Sequence, residues 1–406
     1  MQKEIMSENI KNNTNVNLSK DIIMEVNNLT CKFNENQSNE ITAIDDFSFS
    51  FERNKIYFII GNSGSGKSTL VTHFNGLLKS KKGTIRIEDF YIKPKPKKIK
   101  NAKKLRRLVS MVFQFPEYQL FKTTIEKDIS FGPIALKIPK IRSNEINKEK
   151  LDYELFFKYI YEIKQQFNIT NSEYKDFNDF ISQNNLSLKY KIYPKKDFAK
   201  VTITNNSNKS KWKKVIKYET LTEGDFIHEL TKKHLVGMGL DESFLDRSPF
   251  GLSGGQKRRV AIAGILAIQP KILIFDEPTA GLDPKGEQMM MDLILDSKKQ
   301  GQTVIVITHT MDQVLEVGDY AIVMDRGKIL MHGTPYEIFT NKDLYTLSKM
   351  EKPKIIDFID SLCEKDPKYK ELYNKEPRTI EQLSEEIQKI NSGSGSNKAK
   401  SRISKK

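Results

Sequence analysis

The sequence lacks the features of secreted and membrane-spanning proteins. Its 406 residues include only two cysteines, Cys31 and Cys363, which are too few for a disulfide framework or a zinc site. Apolar runs such as Val260–Ile268 fall short of the roughly 18 consecutive apolar residues that a spanning helix needs. The N-terminus is rich in Asn, Lys and Glu and has no apolar signal segment. We therefore expect a soluble, cytosolic chain.

Acidic residues are outnumbered, and the formal net charge is +15. Such an excess is compatible with attraction to an anionic lipid or nucleic-acid surface. It is equally compatible with lysines that are solvated all round, as an AT-rich genome would produce. Charge alone does not distinguish an anionic partner from a solvated surface. The hydrophobic fraction of 38% is sufficient for a full core.

Short apolar runs alternate with helical patterns between Ile56 and Thr308. The clearest runs are Lys55–Ile60, Lys271–Phe275 and Thr303–Thr308. Runs of this kind are typical of parallel strands covered on both faces, so they predict a doubly wound α/β core. The preceding region, Ile23–Ser50, predicts short strands around a polar loop.

One internal segment, Ile138–Ile227, shows no such alternation. It contains an amphipathic helical pattern at Leu151–Phe167 and a hairpin-like pattern at Val201–Glu219. We interpret it as an inserted α+β segment. The lysine-rich end of the hairpin, Lys209–Lys214 with Trp212 among the lysines, could touch anionic lipid headgroups or another subunit, or be a solvated decoration.

A phosphate-binding loop follows the first buried strand. The stretch Gly61–Thr69 fits the pattern G-x-x-x-x-G-K-[ST], between an apolar strand and a helical pattern. Glycines let backbone N–H groups surround the phosphates, Lys67 would reach the β- and γ-phosphates, and the Ser68 hydroxyl would hold Mg²⁺. The predicted ATP contacts of the loop are Gly61, Asn62, Ser63, Gly64, Ser65, Gly66, Lys67, Ser68 and Thr69.

Two acids close the buried strand Lys271–Phe275. Asp276 would lie beside the phosphate loop and bind Mg²⁺, directly or through water. Glu277 is one residue further on, where its carboxylate can polarise the attacking water. The pair therefore predicts hydrolysis as well as binding of ATP.

A second glycine-rich helix start, Leu252–Gln256, reads Leu-Ser-Gly-Gly-Gln. With the phosphate loop and the strand-end acids, it resembles the ATP-binding-cassette (ABC) family. The resemblance implies that two such chains face each other across ATP. The residues that would contact the partner's nucleotide are Ser253, Gly254, Gly255, Gln256 and Asp283.

Further positions match the same family in the expected order. Gln114 stands where the family places a glutamine that binds Mg²⁺ and senses the water. His309 stands where a histidine contacts the γ-phosphate, and so joins Glu277 as a catalytic residue. Phe33 stands where an aromatic ring, commonly tyrosine, stacks on adenine, although core packing is an alternative for it.

The sequence around these motifs resembles that of the ATPases of energy-coupling factor (ECF) transporters, and more the second of their two related ATPases than the first. The matching segments are Val112–Phe121, Phe131–Pro133 and Arg247–Gln256. The resemblance implies a heterodimer with a paralogous ATPase beneath a transmembrane coupling subunit, and indirectly a membrane protein that captures a vitamin or a metal ion. The chain would be peripheral on the cytoplasmic side of the cell membrane, with no nucleic-acid partner.

An apolar-acidic run after Gln114 is the predicted dock for the coupling subunit. Exposed aromatic clusters of this kind usually mark a partner groove, although packing within the chain is an alternative. The predicted docking residues are Phe115, Glu117, Tyr118, Leu120 and Phe121.

The resemblance implies an α/β P-loop nucleotide-binding domain with a mostly parallel sheet, an antiparallel β subdomain and a helical signature lobe. The predicted organisation is a disordered lead at residues 1–20, the nucleotide-binding domain at 21–340 with the insertion at 138–227, a helical region at 341–390 and a disordered basic tail at 391–406. The alternatives are another ABC transporter ATPase or a soluble ABC ATPase acting on ribosome or DNA. The sequence does not identify the transported solute.

Overall fold

The computed structural model describes residues 21–94, 99–137, 148–170, 174–193, 198–217, 223–348 and 350–403, so the predicted lead at 1–20 lies outside them. The strands are β1 (Ile22–Phe33), β2 (Ile41–Glu52), β3 (Ile56–Ile60), β4 (Lys82–Ile87), β5 (Phe90–Ile92), β6 (Val109–Val112), β7 (Leu186–Tyr193), β8 (Phe198–Asn205), β9 (Lys211–Lys217), β10 (Ile272–Asp276), β11 (Thr303–Ile307), β12 (Tyr320–Asp325) and β13 (Lys328–Gly333). The α-helices are α1 (Lys67–Phe74), α2 (Ala102–Leu108), α3 (Ile125–Leu136), α4 (Lys148–Phe167), α5 (Phe177–Gln183), α6 (Glu223–Gly237), α7 (Gly254–Leu266), α8 (Pro284–Lys299), α9 (Met311–Val317), α10 (Pro335–Phe339), α11 (Lys342–Ser348), α12 (Lys354–Lys365), α13 (Leu372–Lys375) and α14 (Ile380–Ile403).

The central sheet has the strand order β13-β12-β3-β11-β10-β6. Every pairing in it is parallel except that of β12 with β13. All five residues of β3 and of β11 are buried, as expected for strands covered on both faces. This arrangement confirms the predicted doubly wound core. It also brings the carboxyl ends of β3, β10 and β11 to the same edge of the sheet, where ligands bind in such folds.

A second, antiparallel sheet has the order β2-β1-β4-β5. Its inward side chains share one hydrophobic core with the central sheet and α1. The Phe51 ring of β2, for example, packs edge-on against Phe74 of α1, with the ring centroids 5.7 Å apart. This confirms the predicted antiparallel subdomain and fixes the helix that follows the phosphate loop.

Residues Lys122–Ser248 form one compact unit, and the described residues before and after this span form the other. This unit is wider than the predicted insertion at 138–227, because α3 and α6 pack together and His228 Nδ1 lies 2.6 Å from a Glu126 oxygen. The signature helix α7 falls in the other unit, because it packs on β6 and on the 3₁₀ turn Pro116–Gln119.

The core of the inserted unit is a three-stranded antiparallel sheet, β7-β8-β9, against α4 and α5. The predicted helix and hairpin are confirmed as α4 and β8–β9. Strand β7 is not in the prediction, although its sequence, LSLKYKIY, alternates apolar and polar residues as a half-buried strand does. Trp212 cannot take part in the contact suggested for Lys209–Lys214, because its indole is buried against Tyr159, with the ring centroids 6.0 Å apart. Alternation along β9 turns Trp212 inward.

Short helices at residues 341–390 confirm the predicted C-terminal helical region. The tail is different from the prediction, because α14 continues from that region as far as Ile403. Once a helix has formed, each added residue costs little, and the tail contains no proline that would end it. Among the described residues, no helix combines the length and the apolar character required to cross a membrane.

Because Trp212 is the only tryptophan of the chain, its emission reports on the inserted unit alone. We expect Phe180→Ala, which empties a fully buried position of the same core, to lower the stability of this unit by about 3–5 kcal/mol. Urea unfolding followed at Trp212 measures the change. The matched control is Tyr161→Ala, whose ring on α4 is 71% exposed and whose loss should cost about 0.5 kcal/mol or less. Equal losses in both variants, or a native emission typical of exposed indole, would contradict this core.

Candidate nucleotide site

The phosphate loop joins β3 to α1 through a backbone that only glycine fits at two positions. Gly61 and Gly66 have φ values of 145° and 102°. A Cβ on Gly61 would lie 2.2 Å from the Met324 carbonyl oxygen, and one on Gly66 would lie 2.2 Å from that of Ala43. The loop is therefore held against both sheets, with its backbone N–H groups at the start of a helix, where anions bind.

Lys67 Nζ lies over this loop, donating hydrogen bonds to the carbonyls of Gly61 (2.7 Å) and Asn62 (2.9 Å). Burial lowers the pKa of the Lys67 ammonium, and the charges of Glu277 and Asp276 oppose that shift. The amine thus stays over the phosphate loop between the backbone and two carboxylates. A phosphate in this loop would offer it stronger, charge-assisted acceptors.

Asp276 ends β10 beside the loop. Its Oδ1 accepts a hydrogen bond from the Ser68 hydroxyl at 3.2 Å, which brings together two residues 208 positions apart. Burial raises the pKa of the Asp276 carboxyl, whereas the bond from Ser68 lowers it. These two oxygen ligands are of the kind that Mg²⁺ prefers. No cluster of three or more His, Cys, Asp or Glu side chains able to hold a metal occurs in the described part of the chain, so a bound Mg²⁺ would need phosphate or water oxygens as well.

Glu277 and His309 come from the ends of neighbouring strands, β10 and β11. Glu277 Oε2 lies 2.8 Å from His309 Nδ1. Glu277 has a φ of 50°, a conformation that non-glycine residues seldom adopt, and its N–H donates to the Ile307 carbonyl at 2.9 Å. The backbone turns at Glu277 directly after β10, so the carboxylate stays at the edge of the sheet.

Lys67, Ser68, Glu277 and His309 line one cleft of about 540 Å³, and Asp276 lies beside it at the Ser68 hydroxyl. Its outer wall comes from the antiparallel sheet, where the ring of Phe33 is 40% exposed and its cross-strand partner Ile41 is 60% exposed. The cleft residues are Phe33, Ile41, Ala43, Gly61, Ser63, Gly64, Gly66, Lys67, Ser68, Thr69, Glu277, Ile307 and His309. Ile41, Ala43 and Ile307 are not among the residues predicted from the sequence. The signals that point to them are strand pairing with Phe33 and the strand end before His309.

The signature segment lies at the start of α7 and has a local structural role. Ser253 caps the helix: its Oγ accepts from Gln256 N–H at 3.3 Å, and the Gln256 side chain accepts from Ser253 N–H at 3.0 Å. Gly254 and Gly255 differ from the loop glycines, because a Cβ on either would meet no described atom within 4 Å. Packing within the described chain thus does not explain why these two positions are glycine.

The cleft lining also does not include five other predicted residues, Asn62, Ser65, Gln114, Asp276 and Asp283. Asp283 caps α8, accepting a hydrogen bond from Gly286 N–H at 2.7 Å. Gln114 follows β6 and is exposed. The phosphate loop also contacts the end of α11, which the motifs do not predict. The Asn62 side chain donates a hydrogen bond to the Ser348 carbonyl at 2.8 Å.

The predicted docking run lies beside α7. Phe115, Tyr118 and Phe121 are 46%, 83% and 55% exposed, and the first two rings are 5.9 Å apart. Glu117 is half-buried, not exposed. Its charge opposes the effect of burial, which lowers the pKa of the Arg258 guanidinium. Leu120 is half-buried as well, so the exposed part of the run is aromatic and its acidic residue points to the chain's own interior.

Comparison with known proteins agrees with this site. The ABC transporter family matches residues 44–280. The energy-coupling factor transporter ATP-binding protein EcfA2 of Mycoplasmoides gallisepticum is 45% identical over 376 residues, covering 91% of this chain and 92% of the relative. The protein of the same name from Mycoplasma pneumoniae is 42% identical, covering 90% and 93%.

Solved structures give the same result. CbiO1 from Clostridium perfringens, part of the ABC transporter complex CbiONQ, is 27% identical with a TM-score of 0.52, covering 87% of this chain and 100% of that one. A dimeric post-hydrolysis state of the ATP-binding cassette MJ0796, bound to ADP and Pi, has a TM-score of 0.51 at 20% identity, covering 77% of this chain and 99% of that one, and supports the fold. The chain therefore belongs to the ABC transporter family of ATPases and, within it, to the ATP-binding proteins of energy-coupling factor transporters.

Proposed function

We propose that this chain hydrolyses ATP in the cleft between the phosphate loop and the strand ends, and that hydrolysis energises an ECF-type importer. The observation that carries the proposal is the convergence of four side chains, Lys67, Ser68, Asp276 and Glu277, from distant parts of the sequence. Sequence identity of 45% and 42% with ECF ATP-binding proteins favours this role over a role in another ABC transporter or as a soluble ABC ATPase.

In this proposal, Lys67 exchanges its two loop carbonyls for the β- and γ-phosphate oxygens of ATP. Ser68 and Asp276 would hold Mg²⁺, which would supply positive charge beside the phosphates. Gln114 remains a predicted ligand by resemblance, because it does not line the cleft. The exposed pair Phe33 and Ile41 provides the apolar surface on which adenine stacks.

Glu277 orients and polarises the attacking water, and His309 holds the Glu277 carboxylate through their 2.8 Å contact and meets the γ-phosphate. The strained backbone at Glu277 limits the movement of its carboxylate. A carboxylate that is fixed in this way needs little reorganisation for the chemical step.

The signature segment contacts the nucleotide of a second, paralogous ATPase subunit. Ser253, Gln256 and Asp283 cap their own helices, and the open space over Gly254 and Gly255 accommodates the partner's phosphates at a helix N-terminus. The exposed aromatic run around Tyr118 receives the transmembrane coupling subunit, which places the chain at the cytoplasmic side of the membrane.

Glu277→Gln should lower ATP turnover of the assembled transporter by about 100-fold or more and leave ATP binding within a few-fold, because the carboxylate acts only in the chemical step. Turnover and nucleotide binding are measured on the same preparation. Lys67→Ala is the contrasting variant and should weaken binding itself. Turnover of Glu277→Gln at the wild-type rate would show that the assigned role is wrong.

The contact with the partner's nucleotide is tested by Gly254→Glu. The new carboxylate has room within its own chain and suits a helix N-terminus, but it would repel the phosphates of an opposed nucleotide. ATP binding by the isolated chain should be unchanged, and turnover of the assembled pair should fall at least tenfold. The control is Gly237→Glu on α6, where a Cβ also meets nothing within 4 Å. Loss of binding by the isolated Gly254→Glu chain would contradict a contact in trans.

The membrane dock is tested at Tyr118, because Glu117 is half-buried beside Arg258 and its replacement would disturb the fold. Tyr118→Arg should reduce co-purification with the coupling subunit at least tenfold, since it charges the centre of an apolar contact. Tyr91→Arg, at a 48% exposed tyrosine of β5, is the matched control. Normal recovery of the Tyr118→Arg complex would argue against the dock.

A further inference from the structure

The three-stranded sheet of the inserted unit has two faces of opposite character. Val201, Ile203 and Trp212 point to the face that packs on α4 and α5. Because side chains alternate along a strand, the residues between them lie on the other face. The described side chains of that other face, in strand order, are Ser187, Lys189, Lys191, Lys200, Thr202, Thr204, Lys211, Lys213 and Val215.

Five of these nine side chains are lysines, and all five are exposed. The strands contain two, one and four lysines, seven in total, and no aspartate, glutamate or arginine. Lys214 differs from these five lysines because it belongs to the inner face. Its Nζ pairs with Glu162 of α4 at 2.8 Å and lies over the Tyr159 ring. The strands themselves supply no acid to the outer face.

The register sets the lysines in an ordered pattern. Lys189 and Lys213 lie on either side of Thr202 in one row across the sheet, and Lys191 faces Lys200 in the next. Neighbouring strands are about 4.8 Å apart and alternate residues of one strand about 7 Å apart. The positive charges thus spread over three strands and form a two-dimensional surface about 10 Å wide, not a single row.

We propose that this face, defined as Lys189, Lys191, Lys200, Lys211 and Lys213, docks the inserted unit on an anionic phospholipid membrane. A flat surface of point charges fits the many mobile headgroups of a bilayer. Nucleic-acid recognition favours arginine, whose planar fork pairs with phosphates and guanine, and these strands contain none. A transporter subunit also works beside a bilayer, which makes lipid the nearest polyanion.

The face is independent of the nucleotide site, because no residue that lines the cleft lies on these strands. Attraction to an anionic leaflet is worth about a fivefold gain in binding for each lysine near the surface. Removal of three charges should therefore weaken membrane binding by about a hundredfold. The effect should disappear in high salt, where screening shortens the reach of the charges to about 3 Å.

The experiment measures sedimentation of the full chain with vesicles of about two parts phosphatidylcholine to one part phosphatidylglycerol, and with phosphatidylcholine alone. We expect the parent chain to bind only the anionic vesicles, and the variant Lys189→Gln, Lys211→Gln, Lys213→Gln to bind them about a hundredfold less tightly. Trp212 emission, from the buried side of the same sheet, checks that the variant is folded.

The control removes three exposed lysines from the C-terminal helices, Lys342→Gln, Lys365→Gln, Lys370→Gln, and so makes the same change to the net charge of +15. It should bind within about threefold of the parent. Equal losses in the two variants would show a general effect of net charge and overturn the proposal. The absence of binding to anionic vesicles would overturn it too, as would duplex RNA displacing the chain from vesicles at equal phosphate concentration.

Discussion

The nucleotide cleft depends on how closely the backbone of the phosphate loop approaches two sheets. The loop passes the carbonyl of Met324 in the central sheet and that of Ala43 in the antiparallel sheet, with no room for a Cβ at Gly61 or Gly66. Because both sheets share one hydrophobic core with α1, the position of the loop is fixed by the packing of the whole unit. Lys67 and Ser68 inherit that position as the first residues of the helix.

The strand order of the central sheet brings the other residues of the candidate site to the phosphate loop. β3 pairs with β11, and β11 with β10, although β3 is more than 200 residues before them in the chain, so the loop, His309 and the acids emerge at one edge. The C-terminal helices are bonded to the sheet at this edge and also, through Gly318 before β12, at the opposite edge. Ser348 accepts from the Asn62 side chain, Asp312 accepts from Lys354 N–H at 2.7 Å, and the Gly318 carbonyl accepts from Arg378 at 2.6 Å. The region after residue 340 is thus bonded to the catalytic unit and is not a loose appendage.

The parts of the site that could be predicted are those whose chemistry requires one residue type at one spacing. The loop glycines, Lys67 and the acid pair after a buried strand belong to this class. Ile41 and Ala43 could not be found in that way, because any apolar residue can form the cleft wall and only strand pairing shows which residues do. Roles that need a second chain, at Gly254 for example, are expectations from resemblance, because one chain shows only the space around them.

The inserted unit shows why composition alone is a weak guide to charge. A net charge of +15 fits both solvated lysines and a binding surface, and the sequence of the lysine-rich hairpin left open whether Trp212 touches a partner. The register of three strands separates these possibilities. It buries Trp212 in a core that belongs to the unit itself, turns Lys214 towards Glu162, and leaves five lysines on one face. Since this core holds the sheet together from one side only, the outer face contributes little to folding, and its residues are open to selection for charge. A surface of one sign can therefore be built there without altering the cleft proposed for the nucleotide.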